Sequence, residues 1–189
     1  MKKVPPDLYT KEYYEHSGGA SYFLKNKIDP VYYKSVELVS ENGNSVKILD
    51  IGCGRGDLAK ALASRLSDSY IFAIDYSESA VNMARDYCVD NQNVVVMKCD
   101  ATRLPFKNNS MDFVFLLDVV EHLYPEQLNT TLQEILRIMK KNGRLMIHTF
   151  PTRYMNDIAH FILKVLNRES IGQRLHVNTQ SIFSIKSGH

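Results

Sequence analysis

Only three cysteines occur among the 189 residues, Cys53, Cys88 and Cys99. They form no C-x-x-C pair and no histidine lies at metal-ligand spacing from them, so neither a metal site nor a disulfide framework is expected. An excess of one charge is also missing. Lys plus Arg number 23 against 21 Asp plus Glu, a formal net charge of +2 with a sequence pI near 8.3, and no nucleic-acid partner follows. No apolar run approaches the roughly 18–20 residues of a membrane span, and the start, Met1-Lys2-Lys3-Val4-Pro5-Pro6-Asp7, leads into no apolar signal region. No membrane partner is expected, and the simplest home is the reducing cytoplasm. Repeats and low-complexity tracts are lacking too. With 44% hydrophobic and 23% charged residues, the chain reads as a folded domain with one sizeable core.

What is present divides into two unequal parts. Residues 1–43 are polar and rich in tyrosine (Tyr9, Tyr13, Tyr14, Tyr22, Tyr32, Tyr33), and Ser17-Gly18-Gly19 breaks them into two helical pieces. An amino-terminal helical cap is expected there. From Val46 onward, β-rich runs at 46–51, 70–75, 94–98, 113–117 and 144–150 alternate with segments of helical period. Those segments carry Leu58/Ala61/Leu62, Ala80/Met83/Ala84/Tyr87/Cys88 and Leu128/Leu132/Ile135/Leu136/Met139. Lys140-Lys141-Asn142-Gly143 reads as the charged end of the last helix and a turn. Parallel neighbours need a crossover, which a helix supplies, so residues 44–151 form a doubly wound α/β domain with a mainly parallel sheet. Its ligand belongs at the carboxyl ends of the strands.

At the first of those ends stands Asp50-Ile51-Gly52-Cys53-Gly54-Arg55-Gly56-Asp57. Glycines at 52, 54 and 56 let a ligand approach the backbone, and the following helix offers free N–H groups. A dinucleotide fingerprint wants Gly or Ala where Asp57 stands, and a phosphate-cradling loop wants Gly-Lys-Ser/Thr; both are missing. Asp75 closes the second run at the distance where an acid accepts hydrogen bonds from ribose hydroxyls, and Asp100 follows the third. Three acids make the mouth negative, which repels a pyrophosphate and suits a cationic nucleoside.

At these residues the chain resembles class I S-adenosylmethionine-dependent methyltransferases, in the small-molecule branch with the type 11 methyltransferase domain. The matching pieces are Val46-Lys47-Ile48-Leu49-Asp50-Ile51-Gly52-Cys53-Gly54-Arg55-Gly56, Ala73-Ile74-Asp75-Tyr76-Ser77, Asp100-Ala101-Thr102-Arg103-Leu104-Pro105-Phe106 and Leu117-Asp118-Val119-Val120-Glu121-His122-Leu123. The resemblance implies a Rossmann-like sheet of order 3-2-1-4-5 and S-adenosylmethionine as cofactor, with S-adenosylhomocysteine as product. It implies that Gly52, Cys53, Gly54 and Gly56 lie under the methionine part, with Asp50 supporting the loop or reaching the ammonium. Asp75 would hold the ribose and Tyr76 pack near the adenine. Asp100 and the Ala101 backbone would meet the adenine edge, and Leu117 and Asp118 would border the methyl-transfer channel.

Two histidines near that channel, His122 and His148, have an ordinary pKa suited to taking a proton near neutral pH, or else pack structurally. Tyr9, Tyr13 and Tyr14 either close over the cofactor or dock the cap on the core. The end departs from the family. Ile158/Phe161/Ile162/Val165/Leu166 mark a further helix within a carboxyl-terminal segment, 152–189, and the usual sixth and seventh strands have no evident counterpart. That leaves the run 144–150 as an exposed edge, with homodimer formation through it or a mobile tail expected. The reading is a methyltransferase acting on a small-molecule acceptor by in-line displacement. The alternative is a cofactor-binding module that has lost catalysis and works through a protein partner.

Overall fold

The computed structural model describes residues 5–16, 29–41, 45–149 and 182–186. Five strands, β1 (Lys47–Ile51), β2 (Tyr70–Asp75), β3 (Val94–Lys98), β4 (Met111–Leu117) and β5 (Met139–His148), are parallel and lie in the order 3-2-1-4-5. The helices are α1 (Lys11–His16), α2 (Pro30–Ser40), α3 (Asp57–Arg65), α4 (Glu78–Tyr87) and α5 (Pro125–Ile138), with single 3₁₀ turns at Pro6–Leu8 and Val120–His122. This is the doubly wound arrangement expected from the alternating periods. The expected helix around Ile158–Leu166 and the break at Ser17-Gly18-Gly19 lie outside the described residues.

Alternation along β1 sets the two layers, because successive side chains leave a strand on opposite faces. Ile48 packs with Val36, Val39, Leu58 and Leu62 of α2 and α3. Leu49 and Ile51 pack with Leu128, Leu132 and Ile135 of α5. On α5 the buried stripe is Leu128, Thr131, Leu132, Ile135 and Ile138. Burying each of its large aliphatic side chains contributes about 1.5–3 kcal/mol. Leu136, read from the sequence as part of that stripe, is 39% exposed. It lies one residue beyond Ile135, a turn of about 100° that carries it off the buried face.

Helix ends are set by local chemistry. Ser77 caps α4, its hydroxyl accepting from the Ala80 N–H at 3.4 Å. Asp29 caps α2 by accepting from the Val31 N–H at 2.8 Å, with Pro30 in the first turn, where a missing N–H costs nothing.

Two expectations need correction. Lys140-Lys141-Asn142-Gly143 is part of β5, not a turn. Met139 leaves α5 in extended conformation (φ −69°, ψ 138°) and pairs with Met111, and the Lys140 ammonium binds the Asp112 carboxylate at 2.7 Å. A sixth strand also exists. β6 (Ile182–Lys186) pairs antiparallel with β5, from Arg144 opposite Lys186 to His148 opposite Ile182. The run 144–148 is therefore not an exposed edge, and the basis for a homodimer through the fifth strand is gone. The physical reason is that β6 occupies the N–H and C=O row a second copy would have used.

Candidate functional site

Strand β1 ends in three glycines of left-handed backbone, Gly52 (φ 72°), Gly54 (φ 53°) and Gly56 (φ 87°). The N–H groups of Gly52 and Cys53 both donate to the Ile74 carbonyl, at 2.8 and 3.0 Å, which stitches the loop to the end of β2. A Cβ on Gly52 would collide with the Val119 side chain, and one on Gly54 would stand 3.3 Å from the Tyr14 ring. The loop is thus packed against both the β4 terminus and the amino-terminal segment.

Asp75 is the hinge of this corner. Its Oδ2 accepts from the Gly54 N–H at 3.0 Å and its Oδ1 from the Ser77 N–H at 2.8 Å. Burial raises its pKa, and the backbone donors at Ser77, Gly54 and Tyr76 pull it back. Asp100 closes on its own turn, accepting from the Thr102 N–H at 2.9 Å and the Thr102 hydroxyl at 2.7 Å. At the β4 end Asp118 adopts φ 54°, a left-handed conformation uncommon outside glycine.

These corners surround one cavity. It is lined by Ile51, Gly52, Ile74, Asp75, Tyr76, Cys99, Asp100, Ala101, Asp118, Val119, His122, Leu123 and Gln127, together with Tyr9, Tyr13 and Tyr14 of the amino-terminal segment. The tyrosines meet edge to face, Tyr9 with Tyr13 at 5.3 Å and Tyr13 with Tyr14 at 5.2 Å, and Tyr9 meets His122 at 5.7 Å. Two bonds fasten this segment to the core. The Arg55 guanidinium donates to the Tyr14 carbonyl, and the Ser77 hydroxyl to the Tyr9 carbonyl, each at 2.9 Å. Burial first, then the neighbouring tyrosine and acids, raises the phenol pKa of Tyr9. For Tyr14 burial and Asp75 raise it further.

Of the residues singled out in the sequence, Gly52, Asp75, Tyr76, Asp100, Ala101, Asp118, His122 and the three tyrosines share this cavity. Cys53, Gly54, Gly56, Leu117, Asp50 and His148 are not among the residues that line it. Cys53 is buried, and burial pushes its thiol well above the usual range. Leu117 belongs to the core on the α2–α3 side. Gly56 opens α3 where that helix passes Ala84 and Cys88 of the α4 end.

Asp50, 3% exposed, keeps an Oδ2 with no hydrogen-bond partner among the described residues. Burial, then Asp75 and Asp57, raises its pKa to about 7. His148 places Nδ1 2.7 Å from Asp118 Oδ1. Beside it the Thr149 hydroxyl donates to Glu121 Oε2 at 2.8 Å.

Sequence reasoning passed over Cys99, Val119 and Gln127, which line the cavity, and Tyr32. Burial raises the Tyr32 phenol pKa, and Asp57, Asp50, Asp118 and Asp29 add to it. Cys99 and Val119 each adjoin an acid that was named, so strand-end position was the available signal. Among the described residues, no lysine or arginine lines the cavity. In the same residues no group of three His, Cys, Asp or Glu is placed to hold a metal ion, and no helix is long and apolar enough to cross a membrane.

Known proteins share this design. A family model described as a methyltransferase domain matches residues 49–147, from β1 to the end of β5. The ubiquinone/menaquinone biosynthesis C-methyltransferase UbiE of Paraburkholderia phytofirmans is 30% identical over 142 residues, covering 71% of this chain and 56% of that protein. The demethylmenaquinone methyltransferase of Clavibacter sepedonicus is 32% identical over 132 residues, covering 64% and 52%. The chain spans about half the length of the curated relatives it matches. Among solved structures, a SAM-dependent methyltransferase from Aquifex aeolicus has a TM-score of 0.60 at 23% identity, over 86% of this chain and 87% of that one. That last likeness is one of fold.

Proposed function

Because the chain belongs to the S-adenosylmethionine-dependent methyltransferase family, we propose that it moves a methyl group from that cofactor to a small-molecule acceptor held beneath the amino-terminal tyrosines. The observation that carries this reading is the cavity across the ends of β1, β2 and β4, lined by carboxylates and by no lysine or arginine among the described residues. Such a lining suits a ligand that carries an ammonium and a sulfonium. The buried Oδ2 of Asp50, which has no hydrogen-bond partner among the described residues, meets the same requirement, since a cation nearby would restore its ionised form.

Each residue then has a task. Gly52, Gly54 and Gly56 keep the loop thin enough for the methionine portion to lie against its backbone, with Cys53 turned inward. Asp75 spends lone pairs on the backbone N–H groups of Gly54, Ser77 and Tyr76 and offers those that remain to the ribose hydroxyls. Tyr76, Asp100 and Ala101 border the adenine side. Asp118, the residue after β4, borders the methyl-transfer channel, and Leu117 before it stays in the core. When bound, S-adenosylmethionine supplies an electrophilic methyl group on a positively charged sulfur. The protein aligns the acceptor with it and excludes water, which Tyr9, Tyr13 and Tyr14 do as a roof and His122 supports by bracing the Tyr9 ring. The three cysteines are free, which fits a reducing, cytoplasmic setting.

Relatives named as a ubiquinone/menaquinone biosynthesis C-methyltransferase and a demethylmenaquinone methyltransferase make reduced demethylmenaquinone the first acceptor to try. The full chain is incubated with methyl-labelled S-adenosylmethionine and that quinol, alongside small phenols and amines. Labelled product is expected with at least one. Tight S-adenosylhomocysteine binding with no product from any of them would favour the inactive binding module instead.

A further inference from the structure

His148 does not line the cavity, yet it grips a residue that does. The Asp118 N–H donates to the His148 carbonyl at 2.9 Å, and the Asp118 carboxylate meets His148 Nδ1 at 2.7 Å. One residue of β5 thus fixes both the backbone and the side chain of the β4 terminus. An ionised carboxylate only accepts, so Nδ1 carries the proton between them. The imidazole is 13% exposed, and the Asp118 side chain 41% exposed and on the cavity wall. Asp118 also holds a left-handed backbone, φ 54°, a conformation that persists where surrounding bonds over-determine it. The arrangement faces an acid into the space where an acceptor must stand and supports it from behind.

We propose that Asp118 is the group that contacts the methyl acceptor, accepting a hydrogen bond from its O–H or N–H and taking up that proton, and that His148 is the positioning residue that aims it. The proposal rests on the methyltransferase reading and deepens it by naming the acceptor class: a neutral or cationic molecule with a hydroxyl or amine at, or conjugated to, the atom methylated. An anionic acceptor is disfavoured, because Asp75, Asp100 and Asp118 line the cavity and no lysine or arginine among the described residues lines it with them. The step balances. A bond forms from the acceptor to the methyl carbon as the carbon–sulfur bond breaks with its electron pair kept by sulfur, and the acceptor's proton goes to the Asp118 carboxylate. The sulfonium and carboxylate charges vanish together, and the proton later passes to water.

The groups that face His148 are Asp118, Asp29 at the start of α2, and Glu121 of the 3₁₀ turn, all acidic. With the Asp118 hydrogen bond as the largest influence, they raise the imidazole pKa against the effect of burial. Removing Asp118 therefore has a readout that does not depend on turnover.

Wild type, Asp118→Asn, His148→Ala and His148→Asn are compared as full chains. In an NMR titration of the imidazoles, with the His148 signal identified by its loss in His148→Asn, Asp118→Asn is expected to weaken proton binding at His148, so that its titration moves to lower pH. Both His148 variants should bind S-adenosylhomocysteine within threefold of wild type. With the acceptor found above, His148→Ala should lower kcat at least tenfold with KM for S-adenosylmethionine unchanged, and His148→Asn, which can still donate from nearly the same place, should recover most of it. An unchanged His148 titration in Asp118→Asn overturns the pairing and leaves the methyltransferase reading intact. Loss of S-adenosylhomocysteine affinity in step with kcat would assign His148 to the cofactor side and also overturn the proposal. A wild-type protein that methylates nothing refutes the underlying reading, and Asp118's role with it.

Discussion

Asp50→Asn should make the ligand-free protein more stable in alkali and a poorer binder at the same time. The wild-type carboxyl is buried on the α2–α3 side of the sheet, its Oδ2 has no partner among the described residues, and its pKa rises from 3.8 to about 7. The folded chain therefore holds this proton more tightly than the unfolded chain does. Below about pH 3.8 the group costs nothing; above it a penalty grows, and beyond pH 7 it is complete at about 4 kcal/mol. Between pH 5 and 8.5, wild type should lose about 3 kcal/mol through this residue alone, and Asp50→Asn should not. For a chain of this size that difference corresponds to roughly 6–12 °C in Tm.

Thermal melts of both proteins at the two pH values measure it. Calorimetry with S-adenosylhomocysteine completes the experiment, because losing a charge-assisted bond of about 1.5–3 kcal/mol should weaken binding tenfold or more. If the Tm gap between the proteins is the same at pH 5 and 8.5, the buried carboxyl is not what the geometry makes it. If binding is unaffected, Asp50 does not meet the ammonium.

Other substitutions probe the corners separately. Gly54→Val puts a β-branched side chain at φ 53° and against Tyr14, so binding of S-adenosylhomocysteine should vanish while circular dichroism still reports a folded protein; a variant that binds would reduce the loop to a turn. In Asp75→Asn the amide nitrogen cannot accept, so at least one backbone bond is lost, at about 1–3 kcal/mol each, and affinity for S-adenosylhomocysteine should drop at least tenfold; denaturant melts and titration measure the two effects. His148→Ala should destabilise the protein more at pH 5.5 than at pH 9. The raised imidazole pKa gives stability that is fully present below about 6.5 and lost as pH climbs through the folded value. Deleting residues 182–186 should bare the β5 edge and produce association visible by light scattering, whereas a monodisperse deletion product would mean that β6 shields nothing.

The frame of the molecule was legible because two periods alternate without ambiguity. Runs at 70–75 and 94–98 match β2 and β3 residue for residue, and each is bounded by polar or turn-forming residues that stop a strand. The acids at strand ends were legible as well, since a parallel sheet brings all its carboxyl ends to one rim. What was missed needed three dimensions. A helix can pass directly into a strand, as at Ile138 and Met139, with no glycine or proline to mark the change, so 140–143 looked like a turn. The antiparallel β6 is five residues long and follows a stretch with no regular alternation, and local pattern does not announce which edge such a segment will join. His148 was noticed for its chemistry, but its grip on Asp118 spans thirty residues and depends on sheet register.

Pairing Arg144 with Lys186 means that 42 residues of later chain must be made before β5 acquires its outer neighbour. At translation speeds of about 5–20 residues per second, the nascent sheet spends roughly 2–8 s with that border open to any passing strand. A crowded ribosome cluster would offer it identical unfinished copies. Slowing synthesis through 149–181, for instance with rare codons, should then lower the yield of dispersed protein even though the finished chain is unchanged in every residue.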